Sequence, residues 1–335
     1  MPEHLVQIAR GEERRVALVR EPELVLLREV TTVLELAQRA LSEGHALTVV
    51  SRALESAERL SYDDVYSGRS VWKLLAPIDV PGDPRRIIVS GTGLTHLSSA
   101  RARQVMHGGP KEEAKTDSMR MFEWGLQRGR PAEGTIGIAP EWFYKGDGST
   151  VRDPFAALEI PGYAEDGGEE AEIVAVYLIA DDGAPWRLGI AAGNEFSDHI
   201  FERRNYLNLA GSKLRTCSLG PELVVGAAFD NVTGHVRIER GRNILWEKEI
   251  RTGEKNMCHS LANIEHHHFK FAAHRQPGTV HLHFMGADCL SCGDGVRLEA
   301  GDVMEIQFEE LGRALRNIIV RDTSVSTPVR VRPMQ

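Results

Sequence analysis

The 335-residue sequence lacks any apolar run long enough to cross a bilayer: the longest, Ile173 to Ala180, has eight residues, against the roughly 18–20 that a spanning helix needs. Its first residues, MPEHLVQIARGEERR, lack the apolar core of a secretory signal. The cytoplasm is therefore the expected location, with no membrane partner. Cysteine is scarce. Four residues give no disulfide framework, and the Cys289-x-x-Cys292 pair has no second pair with which to build a structural zinc site; buried free thiols are expected. Long basic runs are missing too. With 40 basic against 48 acidic side chains and a formal net charge of −8, the sequence lacks the concentrated cationic face that phosphate binding requires, so no nucleic-acid partner is expected. Lysine is rare, with eight residues at 73, 111, 115, 145, 213, 248, 255 and 270. A lysine in a tight, polar, glycine-bearing context is thus conspicuous as a proton carrier.

What is present is a composition of 42% hydrophobic and 26% charged residues. A chain of this length and apolar content buries a sizeable core, in one large domain or two smaller ones, which excludes disorder as its main state. Short strands are expected at His4–Ala9 and Arg15–Val19. Thr32 and Glu35 form a capping box for a helix to Glu43, which Gly44 stops, and a second amphipathic stretch covers residues 48–60. The proline, glycine and aspartate of residues 78–84 break both helix and strand. A boundary there divides a small N-terminal domain, 1–80, from a catalytic domain, 85–335. Beyond it strands dominate: 86–90, 173–180, 187–192, 222–225, and a hairpin of 235–239 and 244–249 turning at 240–243. Helices are expected at 115–125 and 260–273. The fold class is therefore β-rich α+β.

Chemistry concentrates in the stretch Gly167-Gly168-Glu169-Glu170-Ala171-Glu172. On an extended backbone Glu170 and Glu172 share a face and can converge on one hard cation; the bland alternative is a solvated acidic turn. Glu195, after the next strand, supplies a third carboxylate, and Lys213 follows from a glycine-bearing turn. Three carboxylates suit Mg²⁺ or Mn²⁺ better than zinc. Such a cation chelates a 2-oxo acid and acidifies its C3 proton, and Lys213 is the candidate base, its pKa lowered by the cation and by burial. His266-His267-His268 looks like a metal site, but consecutive helical residues point about 100° apart. These residues, with His281 and His283, read mainly as packing and polar lining.

The order TGLTH (92–96), PEWFYKG (140–146), EEAE (169–172), GNEFSDH (193–199), SKL (212–214), SLGPEL (218–223) and AGD (300–302) resembles the fumarylacetoacetate hydrolase superfamily, from about Ile87 onward. Within it, FYKGDGS and SKLRTCSLGPEL look most similar to the sugar-acid branch, including 2-keto-3-deoxy-pentonate dehydratases. The resemblance implies a C-terminal mixed β-roll, a homodimer, and a divalent cation held by Glu170, Glu172 and one more acidic residue, here Glu195. Two departures stand out. The usual N-D-V-S reads Asn194-Glu195-Phe196-Ser197, and the hydrolases' H-x-x-E reads His96-Leu97-Ser98-Ser99, without its glutamate.

Some dehydratases of the superfamily carry a catalytic glutamate where Glu141 stands. The resemblance thus implies Lys213 and Glu141 as base and acid, with His96 as either a substrate contact or a packed histidine. Thr95, Lys145 and Ser197 are the implied substrate contacts; Lys145 is equally readable as an ion-pair partner of Glu170. The implied activity is Mg²⁺-dependent dehydration of a small anionic 2-keto-3-deoxy sugar acid to a 2,5-dioxo acid. The alternatives are a hydrolase that cleaves a 2,4-diketo-3-deoxy acid to pyruvate and a hydroxy acid, and a silent sugar-acid sensor.

Overall fold

In the computed structural model, which describes residues 2–108, 115–325 and 327–334, the run Ala171–Ile179 is a strand with every residue buried. Burial on both faces explains why it lacks the apolar–polar alternation of a half-exposed strand. Val174, Val176 and Leu178 pack into a core that holds Leu36 and Ala37 of the helix Val33–Glu43. Ile173, Ala175, Tyr177 and Ile179 face the other way, into a core shared with Val236 and Ile306. At about 1.5–3 kcal/mol for each fully buried aliphatic side chain, both faces of this strand stabilise the fold strongly.

The strand belongs to a thirteen-stranded sheet. It pairs antiparallel with Pro185–Asn194 on one side and Val280–Phe284 on the other, and Val280–Phe284 runs parallel to Ile87–Gly91. A five-stranded sheet, ordered Asn243–Thr252, Val232–Arg240, Val303–Phe308, Leu315–Arg321, Leu158–Ile160, contributes the second core. The β-rich mixed architecture matches the expected fold class. Among the described residues no helix is long and apolar enough to cross a membrane.

The N-terminal segment joins the same large sheet, because Glu3–Arg10 pairs antiparallel with Leu223–Val225. Buried Glu222 fastens that junction. It accepts hydrogen bonds from Tyr62 Oη at 2.8 Å and the Arg313 backbone N–H at 3.0 Å, and it lies 2.7 Å from His4 Nδ1. Thr32 and Glu35 form the expected capping box, and Gly44 ends the helix at φ 67°. The stretch 48–60 is not one helix. It splits into the helix Leu47–Ala53 and the strand Glu55–Ser61, which pairs with Glu23–Leu27 at the sheet's edge. Its Glu, Ser and Arg residues suit such an edge, and their spacing imitates helical amphipathicity.

The other two helices are displaced or shorter than expected. One runs Asp117–Arg128 behind an N-cap at Thr116; the other runs Leu261–Phe269 and gives way to a 3₁₀ turn, Ala272–Arg275. His268 turns inward, with ring centroids 4.7, 4.9 and 4.5 Å from His274, His281 and His283. Its Nε2 lies 2.9 Å from His281 Nδ1, while His283 bridges Ser90 Oγ at 2.9 Å and Thr92 Oγ1 at 2.8 Å. Burial pushes the pKa values of His281 and His283 down to about 3. His281 and His283 are thereby neutral, and the rings pack against one another.

Candidate active site

The hairpin of Ala171–Ile179 and Pro185–Asn194 sets the site's register, with Ala171 opposite Asn194. Pairing continues past the strand ends: Glu195 N–H donates to Glu170 O at 2.9 Å, and Gly168 and Ser197 exchange two bonds of 2.9 Å. Asn194 Oδ1 secures the bend by accepting from the N–H groups of Glu170 and Phe196 at 3.3 and 3.2 Å. Gly168 is needed for space, since a Cβ there would sit 2.1 Å from His199 Nδ1. The result places carboxylate oxygens of Glu170, Glu172 and Glu195 within 4.8 Å of one another, all buried.

The surrounding charges are unequal. Lys213, at the end of the short helix Leu209–Lys213 and not in a turn, is fully buried. Its Nζ donates to Glu170 Oε1, to Glu195 Oε2 at 2.5 Å and to Ser197 Oγ at 3.0 Å. Burial opposes the ammonium, but Glu170 and Glu195 outweigh it, so the Lys213 pKa is raised. Lys145 Nζ lies 2.7 Å from Glu195 Oε1 and donates to the carbonyls of Phe196 and Lys213 at 2.7 and 2.9 Å. Its ion-pair partner is thus Glu195 and not Glu170. Burial also acts against Glu170, yet Lys213, His199 and Arg103 hold its pKa well below the ordinary value.

Among the described residues Glu172 has no such paired cation. It accepts one hydrogen bond, from Gly286 N–H at 2.7 Å, and burial together with Glu195 and Glu170 drives its pKa well up. A buried all-oxygen donor set with a surplus of carboxylates fits a hard divalent cation, which Glu170, Glu172 and Glu195 would hold. The three predicted ligands are therefore brought together.

Glu141 stands beside this cluster. It is buried, and its neighbour Gly93 leaves the room, since a Cβ there would lie 1.8 Å from Glu141 Oε2. Arg103 links the two groups, with Nη1 3.4 Å from Glu141 Oε2, Nη2 3.7 Å from Glu170 Oε2 and Nε 3.2 Å from Glu202 Oε1. Tyr206 Oη donates to Glu141 Oε1. Burial nevertheless raises the Glu141 pKa, outweighing Arg103 and Tyr206.

Ser197 touches the cluster through Lys213 and Glu195. Thr95 and His96 do not hydrogen-bond to its carboxylates. Thr95 Oγ1 donates to Met285 O at 2.9 Å, so the His96 Nδ1–H donates to Thr95 Oγ1, also at 2.9 Å, and His96 Nε2 accepts from Thr252 Oγ1 at 3.1 Å. Burial lowers the His96 pKa to about 4.

Sequence reasoning gave no role to Arg103, Glu202 and Tyr206, which reach the site from helical segments with no motif around them. It also missed His199, although this residue ends the quoted GNEFSDH motif. His199 is buried, with Nε2 3.1 Å from Glu170 Oε1. Burial opposes its charge, but Cys292 and Glu170 raise its pKa well above the ordinary value.

The architecture defined by this hairpin and its flanking sheets is the fumarylacetoacetate-hydrolase-type fold, which carries the resemblance noted in the sequence. It is similar in particular to the 2-keto-3-deoxy-D-arabinonate dehydratase complexed with magnesium and 2,5-dioxopentanoate, with a TM-score of 0.69 and 15% identity over 96% of this chain and 100% of that one. A 5-carboxymethyl-2-hydroxymuconate delta-isomerase from Mycobacterium smegmatis is also similar, with a TM-score of 0.58 and 16% identity over 95% of this chain and 100% of that one. At such identities the common property is the fold. No protein-family model matches the sequence, and no curated protein matches it significantly.

Proposed function

We propose that this protein is a hydro-lyase that removes water from a 2-keto-3-deoxy sugar acid, a pentonate, to give a 2,5-dioxo acid such as α-ketoglutarate semialdehyde, with Mg²⁺ as its cation. The observation that carries this reading is the adjacency of a buried three-carboxylate cluster, a buried lysine and a second buried carboxyl whose pKa is raised. The solved dehydratase structure with magnesium and 2,5-dioxopentanoate supports the choice of substrate class. When bound, the cation supplies Lewis acidity that makes the C3 proton of a chelated 2-oxo acid removable.

The chain's own residues supply the rest. Lys213 is protonated because Glu170 and Glu195 surround it; once these carboxylates are committed to a cation, its amine is freed to take the C3 proton. Glu141, held by Arg103 and Tyr206 and disposed to the neutral acid, protonates the C4 hydroxyl as it leaves as water. Base and acid thus require opposite protonation states, which their different surroundings provide. Lys145 and Ser197 hold Glu195 and Lys213 in place. The hydrolase alternative would need a carboxylate on His96, and both ring nitrogens of His96 are committed to threonines. We further take the protein to be a cytoplasmic homodimer in which a small N-terminal part, 1–80, and the catalytic part, 85–335, share one sheet.

The test is incubation with Mg²⁺ and 2-keto-3-deoxypentonate. Semialdehyde should accumulate, and chelation with EDTA should abolish it. Pyruvate release from a 2,4-diketo-3-deoxy acid without any semialdehyde from the pentonate would overturn the dehydratase reading, and EDTA-insensitive turnover would overturn the cation's part in it.

A further inference from the structure

The five-stranded sheet has an open edge. Its strand Asn243–Thr252 pairs with Val232–Arg240 on one side and, among the described residues, with no strand on the other. A groove of about 730 Å³ runs along that edge. Five consecutive residues, 247–251, line it, so it takes in the backbone edge and both faces of the strand. Its charges are only partly paired. Glu247 lies 2.7 Å from Arg237 and Lys248 2.8 Å from Asp294, whereas Glu249 and Glu309, which also line the groove, have no ion pair among the described residues. Residues 327–334 carry the complement. The run Val329-Arg330-Val331-Arg332 alternates apolar and basic side chains with the period of a strand, and prolines at 328 and 333 bracket it. It pairs with no strand, and Val329 and Val331 are 93% and 85% exposed.

We propose that residues 329–332 add as an antiparallel strand to the groove of a second copy of this chain, which returns its own segment in the same way. The inference rests on the homodimer proposed above and names the contact that holds it. In the fitting register Arg330 stands opposite Glu249 and Arg332 opposite Glu247. Val329 then meets Ile250, whose side chain belongs to the second core. Pro328 falls opposite Arg251, so no two cations meet. A slip of one residue in either direction would set an arginine against Lys248, which fixes the register. The groove is a second copy's because the chain leaves its own sheet at the far end: Asp322 N–H donates to Ile160 O at 3.0 Å, and Leu158–Ile160 is the strand farthest from Asn243–Thr252.

Sedimentation equilibrium of the full chain and its charge-reversed variants tests the proposal. Arg330→Glu and Glu249→Arg should each weaken the dimer about fivefold or more, because each sets like charges opposite one another twice per dimer. Co-expression of the two variants should restore the affinity to within about twofold of the native protein, since in the mixed dimer each groove meets a segment of opposite charge. Restoration in the double variant but not in the mixture would place the segment on its own chain and overturn the exchange. Weakened variants that neither combination restores would overturn the pairing of Arg330 with Glu249. Dimers of native affinity from both single variants would overturn the contact and leave the homodimer standing, whereas a native chain that sediments as a monomer would overturn both.

Discussion

Lys213 Nζ lies 2.5 Å from Glu195 Oε2 and also contacts Glu170, so two members of the carboxylate cluster share one ammonium. A cation entering the cluster competes with that ammonium for the same oxygens. Lys213→Met should therefore bind Mn²⁺ as tightly as the native protein or tighter, while turnover falls by roughly 10²–10⁴-fold, the range for loss of a general base. Calorimetry and steady-state kinetics on one preparation check both. Retained turnover removes Lys213 from the role of base.

Among the described residues Glu172 is the cluster member without an ion-pair partner. Glu172→Gln should lower Mg²⁺ affinity by about 100-fold or more, because affinity for hard cations follows the charge count of their ligands. Isothermal titration measures this directly. Unchanged affinity would place the cation elsewhere.

Tyr206 donates a hydrogen bond to Glu141. Glu141→Gln should cost about 100-fold or more in kcat, as loss of a general acid does. Tyr206→Phe, which removes one hydrogen bond to that acid, should lower kcat about tenfold and leave KM within about twofold. Equal loss from both variants would give Tyr206 a larger part than positioning.

His283 should make stability depend on acid. Burial holds its pKa near 3 in the folded chain, below the ordinary value of 6.5, so the unfolded chain binds the extra proton between those limits. The stabilisation is complete above the unfolded pKa and is lost as pH falls toward the folded one. Denaturant titration should show the slope of stability between pH 6 and pH 4 reduced in His283→Asn by about 1.4 kcal/mol per pH unit. An unchanged slope would show that His283 does not titrate on unfolding.

Glu222 accepts from Tyr62 and from the Arg313 backbone where the N-terminal strands meet the rest of the sheet. Glu222→Ala should leave the buried Tyr62 hydroxyl without its acceptor and remove that of the half-buried Arg313 N–H, destabilising the protein by about 1–3 kcal/mol, read as a shift in the urea midpoint.

Much of the site was legible because its carboxylates sit in local patterns. The Glu170–Glu172 spacing and the following strands carry the hairpin, and Thr32 with Glu35 marks a helix start by chemistry confined to four residues. Lys213 was legible as a residue and not as an electrostatic object, since its raised pKa comes from carboxylates 43 and 18 positions away. Arg103 and Tyr206 were illegible for the same reason: nothing beside them in the chain announces Glu141. The stretch 48–60 misled because its charged residues fit a helical face and a sheet edge equally well.

The strand Ala171–Ile179 is buried on both faces and ends at the carboxylate cluster. Opening this strand disrupts the two cores that flank it, so its amides should be among the slowest in the chain to exchange with solvent. A cation held there would raise the melting temperature of the whole chain instead of protecting one loop.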